Sequence, residues 1–160
     1  MAWTSPKTFS ANAVLTASEL NTHLRDNLKA LTEWASYTPT WAGTGGTPTI
    51  GNGTLTGRYI SAGDLCHVNI ALTMASTTAL NASTGWTLSL PVTASSTAVL
   101  QVYALDSGTA HYGGAAVVTN GATTISMAAI GSGAGYGYQV PFTWTPSNGD
   151  LLIVSGTYEC

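Results

Sequence analysis

Leu65-Cys-His-Val-Asn-Ile-Ala-Leu-Thr-Met74 is the stretch that decides the fold, because apolar residues recur at every second position along it. Successive side chains of an extended chain point to opposite faces. One face of the predicted strand therefore carries Cys66, Val68, Ile70, Leu72 and Met74, and the other carries His67, Asn69, Ala71 and Thr73. A strand with one apolar face is typical of an antiparallel sheet that covers a core on one side only.

Further strands extend on both sides of this stretch, separated by turn signals such as Asn52-Gly53 and Asn120-Gly121. We expect them at residues 54–61, 85–90, 97–105, 110–119, 122–130, 136–144 and 150–158. Pro39 confines the short extended segment Tyr37–Trp41 to a sheet edge or a strand end. About eight antiparallel strands predict a mainly β domain over residues 36–160, a jelly-roll-like β-sandwich.

A short amphipathic helix is predicted over residues 16–35. Thr16 stands at the N-cap with Glu19 three residues later, which is the pattern of a capping box. The residues expected to form a helix interface are Leu15, Leu20, Leu24, Leu28, Leu31 and Trp34. This apolar face would pack either on the chain's own sandwich or on copies of the same helix around a symmetry axis, with Asn27 on a possible seam.

Residues 1–15 show neither helical nor strand periodicity, yet they contain apolar groups that need a partner. These groups are Trp3, Pro6, Phe9 and Val14. We interpret the segment as an extended docking arm that becomes ordered by what it touches.

Composition argues against several classes of partner. Charged residues make up 7% of the chain, and 26 Thr and 15 Ser supply its polarity instead. Only four basic residues are present and the formal net charge is −3, which disfavours nucleic-acid binding. No window approaches the 18 apolar residues of a membrane helix, and no secretory leader precedes the arm, so we expect a protein made in the cytoplasm with no membrane partner.

The residues that could carry catalysis are few and have simpler explanations. Cys66 and His67 are adjacent, but neighbours in a strand point to opposite faces and cannot form a dyad. Asp64, Asp106 and Asp150 all lie at Gly-containing turns, where an Asp side chain can bond to backbone amides. We predict no catalytic residues, no metal site and no cofactor, and therefore no enzyme.

Aromatic side chains are the remaining candidates for ligand contacts. Trp86 alternates with Leu88 and Leu90 and is expected in the core. Possible surface contacts, to a sugar or to another subunit, are Trp41, Tyr112, Tyr136 and Tyr138.

Several motifs resemble those of small β-rich virion proteins from phages that infect actinobacteria. The opening motifs are Trp3, Thr8-Phe9, Val14-Leu-Thr-Ala17 and Leu20-Asn-Thr-His-Leu-Arg-Asp-Asn-Leu28. The later motifs are Tyr37-Thr-Pro-Thr-Trp41, Gly51-Asn-Gly-Thr-Leu-Thr-Gly-Arg-Tyr59, Ser89-Leu-Pro91 and Ser155-Gly-Thr-Tyr-Glu159. The opening differs in one respect, since Ser10-Ala-Asn-Ala13 stands where these relatives often have a Gly-Glu pair.

The resemblance implies a virion structural protein, a homotrimeric β-sandwich held to the particle by its N-terminus. Two locations in the virion stay open. The first is a capsid decoration or head fibre, favoured because the chain is short and lacks a repetitive shaft. The second is a minor tail or tail-fibre protein that contacts a host surface glycan. A carbohydrate-binding module unrelated to particles is the remaining alternative.

Overall fold

The alternating stretch at residues 65–74 forms one of the inner strands of a curled sheet in the computed structural model, which describes residues 4–128 and 147–160. Nine strands make up this sheet among the described residues. They are β1 Ala35–Tyr37, β2 Trp41–Thr44, β3 Thr54–Ala62, β4 Leu65–Thr73, β5 Thr84–Ser89, β6 Ala98–Asp106, β7 Ala110–Val118, β8 Thr124–Ala128 and β9 Leu151–Glu159. The prediction of a mainly β chain is confirmed.

All strand pairs are antiparallel, and the order across the sheet is β1-β3-β4-β9-β6-β7-β8-β5-β2. Consecutive strands β1 and β2 thus occupy opposite edges, although only residues 38–40 join them. The sheet curls until its edges meet. There the Tyr37 hydroxyl donates to the Ser89 carbonyl at 3.2 Å, and the Thr40 N–H donates to the Ser89 hydroxyl at 2.8 Å.

Gly57 allows this closure. It lies directly opposite Tyr37 in the β1–β3 pair, and a Cβ atom at Gly57 would come within 2.7 Å of Pro39 Cγ and closer still to the Tyr37 ring. Pro39 itself lies between β1 and β2, so it is at strand ends and sheet edges, as predicted.

The core fills the concave face of the curled sheet. Its fully buried side chains come from six strands and include Val68, Ile70, Leu72, Trp86, Leu88, Leu100, Val118, Ile125 and Leu152. Burial of this apolar surface is the main force that holds the strands together. The predicted inward face of residues 65–74 is confirmed, and so is the core position of Trp86.

Seven of the predicted strands are present, and their ends lie within two residues of the predicted ends. The last residue of β8 is 128, where the first described range stops. The eighth predicted strand, at 136–144, lies outside the described residues. The described residues thus contain nine strands where about eight were expected for the whole domain, because both edges of the sheet carry a short strand beside Pro39. Their brevity, three and four residues, gave little periodicity to detect.

The predicted helix is present but is shorter and interrupted. It consists of α1 Ala17–Leu20, a π-helical segment Asn21–Arg25, and α2 Asp26–Thr32. Glu33 is already extended, with φ −107° and ψ 126°, and β1 begins two residues later. Trp34 joins the helix to the sheet, since its ring lies 5.2 Å from the Arg58 guanidinium and meets the His67 ring edge-on at 5.5 Å.

Candidate functional site

The start of the helix forms the capping box that the sequence predicts. The Thr16 hydroxyl accepts from the Glu19 N–H at 3.2 Å, and the Glu19 carboxylate accepts from the Thr16 N–H at 2.9 Å. The same carboxylate pairs with the Lys7 ammonium. These contacts, Lys7 first and Thr16 second, lower the pKa of Glu19 from 4.5 to about 2.

The arm folds back along this helix. Asn27 accepts from the Thr4 N–H at 3.0 Å and donates to the Thr4 carbonyl at 2.8 Å. One helical turn earlier, His23 Nδ1 lies 3.1 Å from the Ser5 carbonyl oxygen. Since the Lys7 contact to Glu19 follows in the same direction, arm and helix run antiparallel. The arm is therefore ordered by its own helix rather than extended away from it.

Arm and helix together leave the leucine face uncovered. The buried helical residues are Asn27 and Ala30, at 5% and 2% exposure. The stripe formed by Leu20, Leu24, Leu28 and Leu31 is 43 to 57% exposed. Two partners were predicted for this face. The chain's own sheet does not cover these four leucines, so that alternative is wrong for them. Asn27, predicted on a possible seam, lies against the arm at a position next to Leu24 and Leu31 on the helix surface.

The π-helical segment changes the spacing of the leucine stripe. Leu20, Leu24, Leu28 and Leu31 are separated by four, four and three residues. A π-helical turn holds one residue more than an α-helical turn, so the interval across Asn21–Arg25 is equivalent to about three α-helical residues. The effective spacing becomes three, four and three, which is that of alternating a and d positions in a coiled coil.

The other residues predicted for the arm and the surface fall into three groups. Pro6, Phe9 and Val14 are exposed along the arm, as is Leu15 at the start of the helix. Tyr112 is exposed on β7. Trp3, Tyr136 and Tyr138 lie outside the described residues.

Trp41 does not fit the prediction of a surface contact. It is only 7% exposed, and its ring meets the Trp86 ring edge-on at 4.9 Å inside the core. Trp41 begins β2 beside the closing link between the sheet edges, so its side chain turns inward with the other core residues.

Sequence reasoning considered His111 only as a catalytic candidate and missed its pairing with Tyr103. The Tyr103 hydroxyl lies 2.6 Å from His111 Nδ1 on the outer face of the β6–β7 hairpin. The turn signal Asp106-Ser-Gly108 with strands on either side fixes the register of that hairpin, and this register could have placed the pair together.

The geometry of the thiols and histidines offers no nucleophile–base pair. Cys66 points into the core, and burial raises the pKa of its thiol to about 11. His67 points outward, with Nδ1 2.9 Å from the Thr157 hydroxyl. Between residues 4 and 128 and from 147 onward, no cluster of three His, Cys, Asp or Glu residues could hold a metal ion. No helix in the same residues is long and apolar enough to cross a membrane.

Comparison with known proteins identifies no relative: no family model, curated protein or solved structure matches this chain.

Proposed function

We propose that this protein is a structural component of a bacteriophage particle. It would be a homotrimeric decoration or head-fibre protein on the virion surface, anchored to the capsid by its N-terminal arm. The sequence resemblance supplies the class. The physical support is the concentration of exposed apolar side chains at the N-terminal end.

This uneven distribution carries the proposal. Twelve large apolar side chains are exposed among the described residues, and eight of them lie between residues 9 and 34. The described residues after 34, which are most of the described chain, contribute only four. Contiguous apolar patches on a soluble surface mark interaction sites, so the arm and helix are the parts of this chain built to contact other proteins.

The two contact surfaces have separate roles in the proposal. The leucine stripe packs on the same stripe of neighbouring copies, because its effective a and d spacing is self-complementary. The arm lies along His23 and Asn27, next to the stripe, and leaves its leucines exposed. Its exposed Phe9 and Val14 side chains would enter grooves between capsid subunits. Since Asn27 already holds the arm backbone at Thr4, less conformational entropy is lost on docking.

The rest of the molecule suits a passive coat. Its hydroxyl-rich surface carries few charges, and its curled sheet of nine strands is compatible with the jelly-roll-like sandwich expected from the resemblance. No catalytic step enters the proposal.

Purified particles provide the test. Immunogold labelling is expected to stud the head, and the Phe9→Asp/Val14→Asp variant is expected to be lost from particles while remaining folded. Val99→Asp, which places the same charge at an exposed apolar position of β6, is the matched control and should be retained. A label confined to the tail would move the protein to the minor tail or tail-fibre class. Absence from purified particles, or full retention of the double variant, would refute the capsid-anchoring proposal.

A further inference from the structure

The outer face of the sheet carries a groove that the proposed function does not use. It lies across β9, β6 and β7 and has a volume of about 380 Å³, within the range of small-ligand sites. The side chains that line it include Gln101, Tyr103, Ile153 and Ser155, and Gly113 and Gly114 also line it. None of these residues is charged, so a ligand of this groove is expected to be neutral.

Strand register places the walls in two adjacent rows. Tyr103 lies opposite Ile153 on β9 and opposite Gly113 on β7. Two residues along β6, Gln101 lies opposite Ser155. An aromatic ring and an aliphatic side chain thus stand beside an amide and a hydroxyl, all on the same face of the sheet.

Tyr103 is held in place but not covered. Its hydroxyl contacts His111 Nδ1 at 2.6 Å, with the two rings tilted by 39° and their centres 6.0 Å apart. The residue is still 38% exposed. A tyrosine across from a glycine often shields that glycine, but no atom of residues 4–128 or 147–160 lies within 4 Å of the position of a Cβ at Gly113. Tyr103 therefore leans toward His111, and the space beside its ring stays open.

Two polar side chains of the groove, Gln101 and Ser155, are available to bind a ligand. Neither the Gln101 amide nor the Ser155 hydroxyl forms a side-chain hydrogen bond to another of the residues that the structure describes. An amide offers two donors and an acceptor, and a hydroxyl offers both roles. Groups of this kind beside an exposed ring suit a ligand with one apolar face and a rim of hydroxyls.

We infer that this groove binds a neutral sugar residue, with the C–H face of the sugar stacked on Tyr103 and its hydroxyls bonded to Gln101 and Ser155. The inference is independent of the proposed function, since a coat protein needs no saccharide ligand. It differs from the sequence expectation as well, which gave a sugar contact to Trp41, Tyr112, Tyr136 and Tyr138.

NMR titration of the ¹⁵N-labelled chain tests this inference. The sugars are glucose, galactose, mannose and N-acetylglucosamine, each added to about 50 mM so that weak binding is detected. At least one sugar is expected to shift the amide signals of Gln101, Tyr103, Gly113 and Ser155. Tyr103→Ala should weaken that binding by about tenfold or more, because the stacking surface is lost. Tyr103→Phe keeps the ring and should bind more tightly than Tyr103→Ala.

Gly113→Val is the sharper variant, because it fills the open space next to Tyr103 with a residue that strands favour, and so the fold should survive. It should abolish the shifts, whereas Thr73→Val on the outer face of β4 should leave them unchanged. Absence of shifts with all four sugars, or equal binding by Gly113→Val and the wild type, would overturn the inference. Neither result would bear on particle association.

Discussion

Asn27 on the helix and Thr4 on the arm bind each other through two hydrogen bonds, as two peptide groups do in a β-ladder. The Asn27 amide accepts from the Thr4 N–H and donates to the Thr4 carbonyl, at 3.0 and 2.8 Å. A single buried side chain thus satisfies both backbone groups of one arm residue. This relationship ties the arm to the helix beside the leucine stripe, whose side chains stay exposed.

Asn27→Ala is expected to release the arm without unfolding the sheet. Removing the amide leaves Thr4 without either partner, which costs about 1 to 3 kcal/mol of arm docking. Hydrogen exchange at the Thr4 amide should accelerate accordingly, while the β4 amides keep their protection. Asn21→Ala, at an exposed helical position, is the control. Unchanged protection of Thr4 in Asn27→Ala would contradict the assigned role.

Leu24→Glu/Leu28→Glu tests the proposed trimer, which this double substitution is expected to convert into monomers. The two leucines are more than half exposed in the single chain, so the substitution disturbs little within it. Burying two carboxylates in an apolar seam would cost several kcal/mol per subunit. The molecular mass measured by sedimentation or light scattering should fall from three times 16.4 kDa to 16.4 kDa.

Lys29→Gln, on the charged side of α2, should leave that mass unchanged. If the wild-type chain is already monomeric at concentrations of about 100 μM, where even weak association is detectable, the leucine seam is not a self-association surface.

Acid should loosen the arm before it unfolds the sheet. The Lys7 ammonium and the two Thr16 contacts lower the pKa of Glu19 below 4.5, so the folded form binds its proton less readily than the unfolded form. The stabilising contribution is therefore complete above about pH 4.5 and is lost as pH falls toward 2. A ¹³C titration of the Glu19 carboxyl group should show the low midpoint. In Glu19→Gln, protection of the arm amides from hydrogen exchange should be weaker at neutral pH and should lack this acid dependence. A Glu19 midpoint near pH 4.5 in the wild type would contradict the pairing with Lys7 and Thr16.

Local signals predicted most of the secondary structure. Thr16 and Glu19 are three residues apart, and the alternation of residues 65–74 is contained in one strand, so each pattern could be recognised within a short window. The strand order could not, because β4, which ends at Thr73, pairs with β9, which begins only at Leu151. Only the closed core favours that pairing.

The contact surfaces were predicted less well, for the same reason. The leucines of the helix could be identified by spacing, but Asn27 takes its role from Thr4, which lies 23 residues earlier. The π-helical segment at Asn21–Arg25 has no recognised sequence signature, and it decides how the leucines align. Tyr103 passed unnoticed because its partner His111 becomes a neighbour only through hairpin register.

Asp150 connects two turns of the chain through its buried carboxyl group. It is fully buried just before β9, and its side-chain oxygens accept from the Ser147 N–H at 2.7 Å and the Ser107 N–H at 2.9 Å. Two turns from distant parts of the chain are joined through this one group. The predicted turn role of Asp150 is thereby confirmed.

Asp150→Ala should therefore destabilise the protein by about 3 kcal/mol, since two backbone amides lose their acceptor where burial limits access of water. Asp150→Asn has the same shape but replaces one acceptor oxygen with a donor, so about half that loss is expected. Urea unfolding followed by tryptophan fluorescence measures both. Asp64→Asn, in an exposed turn, is the matched control and should change stability by less than about 0.5 kcal/mol. If Asp150→Ala were as mild as this control, the two turns would be held by contacts other than this carboxyl group.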